Sequence, residues 1–488
     1  MNEIVKEPLE AHQATFSTSQ MNSPTHLNSL SAQHAPSGGV VVLVVPFPAA
    51  SHLNQLLNFA RVLAEHGLPV VFACSETHAR QTTHRSGGFN CASNPNLRFH
   101  ILPFPSFPAL LPDPESSNKF PGHLQPLFDA TEHLLSPLTT LVHELASIHR
   151  RVAVIHDALM SVAAGAAVEC LNAEAYSYNC GSTCATICFQ REAEGQQEPI
   201  VPGLPPPSFR GCVNDSFIDF LPRAVKFRHL DRGVFFNSFH AIEGQFLSRI
   251  ASSHVWAIGP TVLLQKKPQE PPHKLHECMQ WLDKQAPRSV LYVSFGTVVS
   301  MSAAEVRELA QGLEASGQPF LWVLRYADKG DIFAGREADS PRGLPDGYEE
   351  RVQGRGLIVR DWAPQLEILH HPSTGGFLTH CGWNSCMESI AMGVPMVAWP
   401  MHSDQPVNAQ LVTGVLGVGV AVGEWHERDD IVRAESVERA VRKLMASEEG
   451  AEMGRKAAEL RDAAQQAVGE GGTSGAALDT FLALISRP

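Results

Sequence analysis

Short runs of aliphatic residues alternate with segments of helical periodicity along almost all of this chain, and this alternation constrains the fold more than any other feature. The run at residues 40–45 is followed by a helical segment that begins after Ser51 and ends at Gly67, and then by a second run at 68–73. Uninterrupted apolar runs of this length are typical of parallel strands buried on both faces. The pattern predicts an α/β fold built from βαβ units.

The alternation stops at the polar, proline-rich segment 265–274 and then restarts. We predict further strands over residues 151–156, 234–237, 289–295, 320–325, 357–359, 376–379 and 396–399. We predict further helices after Asp157 to about residue 171 and over residues 303–316, 385–392, 434–446, 451–468 and 474–485, and a mobile charged loop over 326–347. The predicted organisation is a disordered leader (1–37), an N-terminal lobe (38–264), a linker (265–287), a C-terminal lobe (288–470) and a terminal helix (471–488) that packs on the N-terminal lobe.

Two doubly wound, Rossmann-like lobes of this kind would face each other across a cleft. Sheets of this class bind ligands at the carboxyl ends of their strands. No G-x-G-x-x-G follows the first strand, which argues against a nicotinamide-dependent oxidoreductase.

The composition excludes several classes of function. A formal net charge of -13 argues against nucleic acid or an anionic membrane as a partner. No apolar run approaches the roughly 18 residues of a membrane span, and residues 1–37 lack the features of a secretory signal or transit peptide. The ten cysteines form no paired framework, as expected in a reducing compartment. We therefore expect a soluble cytoplasmic protein.

Three of the cysteines, Cys180, Cys184 and Cys188, have helical i, i+4, i+8 spacing. Such a face could hold a metal, but no histidine or carboxylate completes the set. We interpret the three as a small apolar stripe on a helix, and we expect no bound metal.

The stretch from residue 362 to residue 405 holds most of the polar residues suited to a nucleotide. His380, Asn384 and Ser385 lie where a predicted strand meets a predicted helix, and Gly382 permits a tight turn there. Unpaired N–H groups at a helix start bind anions. The alternative is a simple capping box formed by Asn384 and Glu388.

Other residues of this stretch could contact the remaining parts of such a ligand. Glu388 can accept hydrogen bonds from a ribose diol, or it is a solvated surface carboxylate. Trp362 can stack on a flat base or pack in the core, and Gln365 can read the nucleoside edge or face water. Asp404 and Gln405 follow a strand and can bind sugar hydroxyls, although turn chemistry also favours aspartate there. Thr297 follows a strand in a second glycine-containing loop, which is a weak signal alone.

Two further residues suit proton transfer at the same cleft. His52 lies directly after the first strand and its turn, and an ordinary histidine is largely neutral at cytosolic pH and can accept a proton. Asp157 ends the predicted strand 151–156 and could fix the imidazole tautomer. The alternatives are a histidine at a helix start without a chemical role and an aspartate that serves as a helix N-cap.

The stretch 362–405 resembles the nucleotide-sugar box of the plant family-1 UDP-sugar-dependent glycosyltransferases, and the two lobes resemble their GT-B fold. The resemblance implies that Trp362 and Gln365 hold the uridine, that Glu388 holds the ribose, and that Ala363 also lies in the donor site. It implies that the diphosphate is held by Thr297, His380, Asn384 and Ser385. It implies that the sugar is held by Trp383, Asp404 and Gln405. It implies that His52 is the base, Asp157 its partner, and that transfer needs no metal. The segment Ala50-Ser51-His52 departs from the Gln-Gly-His of many relatives.

Runs in both lobes, and above all His402-Ser403 before Asp404, are similar to the zeatin O-glycosyltransferase subfamily. This resemblance implies a monomeric, inverting enzyme that moves glucose from UDP-glucose, or xylose from UDP-xylose, to the side-chain hydroxyl of a cytokinin. The alternatives are a flavonoid, phenolic or terpenoid acceptor, and a nucleotide-sugar-binding protein without turnover.

Overall fold

The computed structural model describes residues 38–85, 94–196, 198–201, 211–264, 277–333 and 343–488. The described residues belong to one compact unit that contains two parallel sheets. The predicted leader (1–37) and the proline-rich segment 265–274 lie outside the described residues.

The N-terminal lobe is built on a seven-stranded sheet. Its strands are β1 (Gly38–Val45), β2 (Val70–Cys74), β3 (Leu97–Ile101), β4 (His149–Asp157), β5 (Ala173–Asn179), β6 (Val234–Phe236) and β7 (Val255–Ala257). They lie in the order β3-β2-β1-β4-β5-β6-β7, and all neighbours pair in parallel. The helices of this half are α1 (Ala50–Glu65), α2 (Glu76–Arg85), α3 (Gln125–Ala130), α4 (Leu135–Ile148), α5 (Val162–Ala167), α6 (Thr183–Ala193), α7 (Asp215–Ala224), α8 (His240–Leu247) and α9 (Thr261–Leu264).

The C-terminal lobe is built on a six-stranded sheet. Its strands are β8 (Val290–Ser294), β9 (Phe320–Val323), β10 (Gly356–Val359), β11 (Thr374–Thr379), β12 (Met396–Ala398) and β13 (Gly419–Ala421), in the parallel order β10-β9-β8-β11-β12-β13. The helices are α10 (Glu277–Leu282), α11 (Ala303–Ser316), α12 (Tyr348–Arg351), α13 (Gln365–His370), α14 (Trp383–Met392), α15 (Gln405–Gln410), α16 (Ala434–Ala446), α17 (Glu448–Val468) and α18 (Thr473–Ser486).

Each sheet is covered on both faces because the side chains of a strand alternate between faces. In β1, Leu43 belongs to the core under α4 and α5, whereas Val42 and Val44 belong to the core under α1 and α18. In β8, Tyr292 packs toward α13, α14 and α17, whereas Leu291 packs toward α11 and α16. Burial on both faces explains why these strands read as continuous apolar runs.

The terminal helix α18 lies on the sheet of the other lobe. The ring of Phe481 is 5.2 Å from that of Tyr176, 4.8 Å from that of Phe235 and 5.3 Å from that of Trp256. The Ser474 hydroxyl donates to the carbonyl of Gly259 at 2.6 Å. The last residues of the chain therefore help to hold the two halves of the molecule together.

Three sequence predictions differ from the structure. Within the predicted linker 265–287, residues Glu277–Leu282 form α10, whose Cys278 and Leu282 are buried against the C-terminal lobe. The helix after Asp157 was predicted to reach about residue 171, but α5 ends at Ala167. In the loop predicted as mobile, Asp328 is buried and accepts two hydrogen bonds from Arg85 of α2, at 2.6 and 2.8 Å. No helix in the described part of the chain has the length and apolar character to cross a bilayer.

Candidate active site

A cleft of about 2710 Å³ lies between the lobes, and the predicted site residues line it. From the N-terminal lobe it is lined by His52 and Asp157. From the C-terminal lobe it is lined by Thr297, Trp362, Ala363, Gln365, His380, Trp383, Asn384, Ser385, Glu388, Asp404 and Gln405. The topology produces this arrangement because these residues follow the carboxyl ends of β1, β4, β8, β10, β11 and β12.

His52 and Asp157 form a hydrogen-bonded pair. Nδ1 of His52, in the first turn of α1, lies 2.7 Å from Oδ2 of Asp157, the last residue of β4. The two residues meet because β1 and β4 are adjacent strands of the sheet. The ring of Phe47 packs against the imidazole edge at 5.4 Å. Nε2 of His52 is thus the nitrogen left for the cleft, and its side chain is 25% exposed there.

The charges of this pair stabilise each other. Burial alone would lower the pKa of His52, but the carboxylate of Asp157 and its hydrogen bond raise that pKa above the ordinary value. Burial likewise opposes ionisation of Asp157, but His52 and the donated hydrogen bonds lower the pKa of Asp157 overall. Asp157 is therefore ionised and can stabilise an imidazolium that forms on His52.

The side chain of Asp157 is further fixed from two sides. Its Oδ1 accepts from the backbone N–H of Leu159 at 2.9 Å. Its Oδ2 accepts from the thiol of Cys180 at 3.1 Å. The predicted cysteine stripe is therefore wrong for Cys180, because α6 begins at Thr183 and Cys180 lies before it, in contact with Asp157. Cys184 and Cys188 are buried in the core as predicted.

The start of α14 and the histidine before it form a pocket suited to an anion. His380 is enclosed by two glycines: a Cβ on Gly296 would lie 2.7 Å from Nε2 of His380, and a Cβ on Gly382 would lie 2.6 Å from it. Gly296 also has a φ of +75°, which favours glycine. Burial lowers the pKa of His380 to about 4, so the ring is neutral. Its Nδ1 is buried and has no hydrogen-bond partner among the described residues.

Asn384 connects the start of α14 with the segment that carries His52. The N-cap residue of α14 is Gly382, without a side-chain cap hydrogen bond, so the alternative of a capping box by Asn384 and Glu388 is excluded. Instead, Nδ2 of Asn384 donates to the backbone carbonyl of Ser51 at 2.9 Å. Ser51 is the residue immediately before His52. The start of α14 is therefore linked by this hydrogen bond to the residue that precedes His52.

Gln365 ties Glu388 and Ser385 together. Its Nε2 donates to Oε2 of Glu388 at 2.7 Å and to the hydroxyl of Ser385 at 3.1 Å. Its Oε1 accepts from the hydroxyl of Tyr292 at 3.3 Å. Burial raises the pKa of Glu388 to about 7, so the carboxylate is not the solvated surface group of the alternative interpretation. Trp362 lines the cleft and is 36% exposed, so it is not a core residue as in the alternative interpretation.

Asp404 faces His52 from the opposite lobe. Its Oδ2 accepts from Nδ2 of Asn408 at 2.9 Å and lies 3.3 Å from where a Cβ on Gly181 would be. Its charge contributes to raising the pKa of His52, and burial raises the pKa of Asp404 itself. A sugar held by Asp404 would therefore lie beside His52.

The side chains of Gln405 and Trp383 form hydrogen bonds to backbone groups of the protein. Oε1 of Gln405 accepts from the backbone N–H groups of Met401 and His402, at 2.9 and 3.0 Å. The indole N–H of Trp383 donates to the carbonyl of Asn237, in the other lobe, at 2.9 Å. Gln405 therefore braces the turn that carries Asp404, and Trp383 joins the lobes at the base of the cleft.

Two features of the site have no strong local signal in the sequence. Cys180 contacts Asp157, which lies 23 positions away in the chain. The spacing of Cys180 to Cys184 and Cys188 indicated a helix face instead. His402 is buried, with its ring 5.9 Å from that of Phe120 in the other lobe. The Ser403 N–H, at a φ of 57°, donates to the carbonyl of Cys212 at 2.6 Å. The strained turn at Ser403 explains how the His402-Ser403 segment reaches the N-terminal lobe.

Comparison with known proteins agrees with this geometry. The family model described as "Glycosyltransferase, N-terminal domain" matches residues 38–262, and the model described as "UDP-glucoronosyl and UDP-glucosyl transferase" matches residues 263–449. The chain is 44% identical to the zeatin O-glucosyltransferase of Phaseolus lunatus over 94% of this chain and 100% of that protein. It is also 44% identical to the zeatin O-xylosyltransferase of Phaseolus vulgaris over 92% of this chain and 98% of that protein.

A solved structure gives the same result. UGT2 of Phytolacca americana, complexed with UDP-2fluoro-glucose and pterostilbene, is similar to this chain with a TM-score of 0.70 and 28% sequence identity, over 91% of this chain and 98% of that chain. The fold and the cleft are those of a nucleotide-sugar-dependent transferase. The chain belongs to the UDP-glycosyltransferase family. These findings confirm the predicted family resemblance and the GT-B fold.

Proposed function

We propose that this protein is an inverting O-glucosyltransferase that moves glucose from UDP-glucose to the side-chain hydroxyl of zeatin-type cytokinins. The observation that carries the reaction is the His52–Asp157 pair, 2.7 Å apart, with Asp404 facing it from the donor lobe. The acceptor class is supported by the full-length 44% identity to a zeatin O-glucosyltransferase.

His52 would act as the general base. An alcohol is about as weak an acid as water, with a pKa of ~15.7, so its proton must leave as the new bond to the sugar forms. Neutral His52, with Nδ1–H donated to Asp157, presents the lone pair of Nε2 to the acceptor hydroxyl. The proton moves to Nε2, the acceptor oxygen bonds to the anomeric carbon, and the bond to UDP breaks on the opposite side. A single displacement of this kind inverts the anomeric configuration.

The donor would be held by the C-terminal lobe in the order that the chain provides. The uracil would stack on Trp362 beside Ala363, and the ribose diol would donate to the carboxylate of Glu388. The diphosphate would meet the N–H groups at the start of α14, the unpaired Nδ1 of His380, and the side chains of Asn384, Ser385 and Thr297. Because these donors can stabilise the departing UDP, we expect transfer without an added metal ion.

The donor sugar is the part of the proposal with a second candidate. We favour glucose, because a glutamine at the position of Gln405 commonly accompanies glucose donors in the family that this chain resembles. Xylose is the second candidate, since the zeatin O-xylosyltransferase is as similar to this chain as the O-glucosyltransferase. We propose that the enzyme works as a monomer in the cytoplasm.

The test pairs the purified protein with UDP-glucose or UDP-xylose and with cis-zeatin, trans-zeatin, dihydrozeatin, isopentenyladenine and a flavonol. We expect transfer to the zeatins and none to isopentenyladenine, which lacks the side-chain hydroxyl. Isopentenyladenine reacting as well as zeatin would overturn O-transfer. A flavonol turned over far faster than any zeatin would move the acceptor class to the phenolics, and UDP-sugar binding without any transfer would favour the non-catalytic alternative.

A further inference from the structure

The catalytic pair and Cys180 together form a set of converging metal-ligand atoms. Nδ1 of His52, a carboxylate oxygen of Asp157 and Sγ of Cys180 all lie within 4.8 Å of one another. Across the described residues, this is the one group of three such side chains whose ligand atoms come this close. The three residues come from α1, from the end of β4 and from the segment after β5, so only the fold brings them together.

We propose that His52, Asp157 and Cys180 form an inhibitory binding site for a thiophilic divalent cation such as Zn²⁺. Zinc binds thiolate, imidazole and carboxylate at about 2.0–2.3 Å, in a tetrahedron whose ligand atoms lie roughly 3–4 Å apart. The present atoms are 2.7 Å apart in the His52–Asp157 contact and 3.1 Å apart in the Cys180–Asp157 contact. Displacements of less than about 1 Å would therefore bring them to zinc-binding distances.

The ligand set selects the class of cation. A cysteine and a histidine favour zinc and related soft or borderline metals, whereas Mg²⁺ and Ca²⁺ prefer sites made of oxygen ligands alone. Asp157 and Cys180 are buried, but His52 is partly exposed on the wall of the cleft. The cation would enter from the cleft, with water or an acceptor oxygen in the fourth position.

Binding would remove the base without displacing the nucleotide. Before binding, neutral His52 carries its proton on Nδ1, and Cys180 is a thiol that donates to Asp157. When Nδ1 binds the cation, the imidazole proton must reside on Nε2, and the thiol loses its proton to solvent. Nε2 then has no lone pair for the acceptor hydroxyl.

The inhibitory effect rests on the proposed role of His52 as the base, whereas cation binding rests on geometry alone. The experiment therefore measures both. Transfer to whichever acceptor is turned over is titrated with Zn²⁺ at fixed UDP-glucose, and UDP-glucose binding is titrated in parallel. We expect inhibition of transfer that EDTA reverses, an unchanged dissociation constant for UDP-glucose, and no inhibition by Mg²⁺.

Two variants locate the site. C180S should raise the half-inhibiting Zn²⁺ concentration at least about tenfold. Loss of a residue that only supports a metal ligand already lowers metal affinity by about tenfold or more, and Cys180 would be a direct ligand. The matched control is C170S, which removes a separate cysteine–histidine pair: Sγ of Cys170 lies 3.3 Å from Nδ1 of His143, away from the cleft lining. C170S should leave the half-inhibiting concentration unchanged. Equal sensitivity of C180S and the wild type would overturn the proposal, as would equal inhibition by Mg²⁺.

Cobalt absorption decides the question if C180S does not fold, and it needs no acceptor. In the C170S protein, added Co²⁺ should give a thiolate-to-cobalt charge-transfer band with a stoichiometry of one, and Zn²⁺ should displace it. Absence of that band would overturn the site even if zeatin were turned over. Its presence in a protein that does not act on zeatin would overturn only the proposed acceptor.

Discussion

The two lobes present their functional residues in contrasting ways. Most of the donor region comes from one stretch, Trp362 to Gln405, that runs from the end of β10 through α14 to the start of α15. His52, Asp157 and Cys180 come from separate segments of the N-terminal lobe, and the contact between the first two spans 105 positions of the chain. The residues of the stretch 362–405 are therefore close together in the sequence. The contacts among His52, Asp157 and Cys180 form only once β1, β4 and β5 lie in one sheet. Breaking either group separately should affect a different step of the reaction.

The largest expected effect of a conservative change lies in the N-terminal lobe. Asp157→Asn keeps the shape of the side chain but removes its negative charge. The amide N–H₂ group of the asparagine can donate to Nδ1 of His52, and the imidazole proton then resides on Nε2. We expect transfer to fall by up to about 10⁴-fold, the loss known for the corresponding change in a serine-protease triad. Steady-state kinetics measures this loss, and an unchanged rate would show that Asp157 does not set the tautomer.

The pH profile of the wild type shows whether Asp157 raises or lowers the pKa of His52. Because Asp157 raises the pKa of His52, and His52 must be neutral to act, the acid limb of kcat/KM should lie above pH 6.5. Residual activity of Asp157→Asn should show this limb at lower pH, since the charge that stabilised the imidazolium is gone. A limb that moves upward would contradict the assignment.

In the donor lobe, adding one methyl group should weaken nucleotide binding. A Cβ on Gly382 would lie 2.6 Å from Nε2 of His380, so Gly382→Ala must displace the ring or the start of α14. Overpacking costs about 1–3 kcal/mol, which corresponds to roughly a tenfold to hundredfold loss of UDP-glucose affinity by calorimetry. The matched control is Gly423→Ala, whose Cβ would have nothing within 4 Å. Equal affinities of the two variants would show that His380 does not contact the donor.

Local signals were sufficient for the bounds of two long helices of the C-terminal lobe. The helix predicted over 303–316 has these bounds in the structure, because Ser302 and Glu305 form a capping box and Gly317 ends the helix at a φ of +72°. The helix predicted over 434–446 is also α16. The strand ends and the loop residues of the donor region followed from the same strand–turn–helix pattern.

Contacts across the fold were the part that the sequence could not provide. Cys180 has helical spacing to Cys184, yet its partner is Asp157 on the neighbouring strand. Asp328 lies in a charged, glycine-containing segment, yet Arg85 of the other lobe holds it in a buried ion pair. The family resemblance implied that Trp383 and Gln405 contact a sugar, and their polar side-chain atoms also form hydrogen bonds within the protein. Such pairings depend on strand order, which no local pattern specifies.

A smaller effect is expected from the titration of Glu388. With its pKa raised to about 7, Glu388 is ionised at pH 8 and largely protonated at pH 6. Only the carboxylate accepts from both ribose hydroxyls, so the affinity for UDP-glucose should fall about tenfold between pH 8 and pH 6. Glu388→Gln should bind more weakly at pH 8 and lose this pH dependence. A wild-type affinity that does not change over this range would exclude the ribose contact.

The smallest effect should come from Trp383→Phe, which removes the indole N–H but keeps an aromatic ring. The carbonyl of Asn237 then loses its donor, which should lower the free energy of unfolding by about 1 kcal/mol, as measured by denaturant unfolding. Transfer should stay within a few-fold of the wild type. A large loss of transfer with unchanged stability would show instead that the indole N–H binds the sugar.

The most direct test of the whole account is the dissociation constant of UDP-glucose for His52→Ala, measured beside its transfer rate. The account predicts a rate lower by about 10²–10⁴-fold, because the base is absent, and a dissociation constant equal to that of the wild type, because the donor site is intact. Loss of donor binding together with transfer would contradict the division of labour between the lobes, and so would a transfer rate that survives without the imidazole.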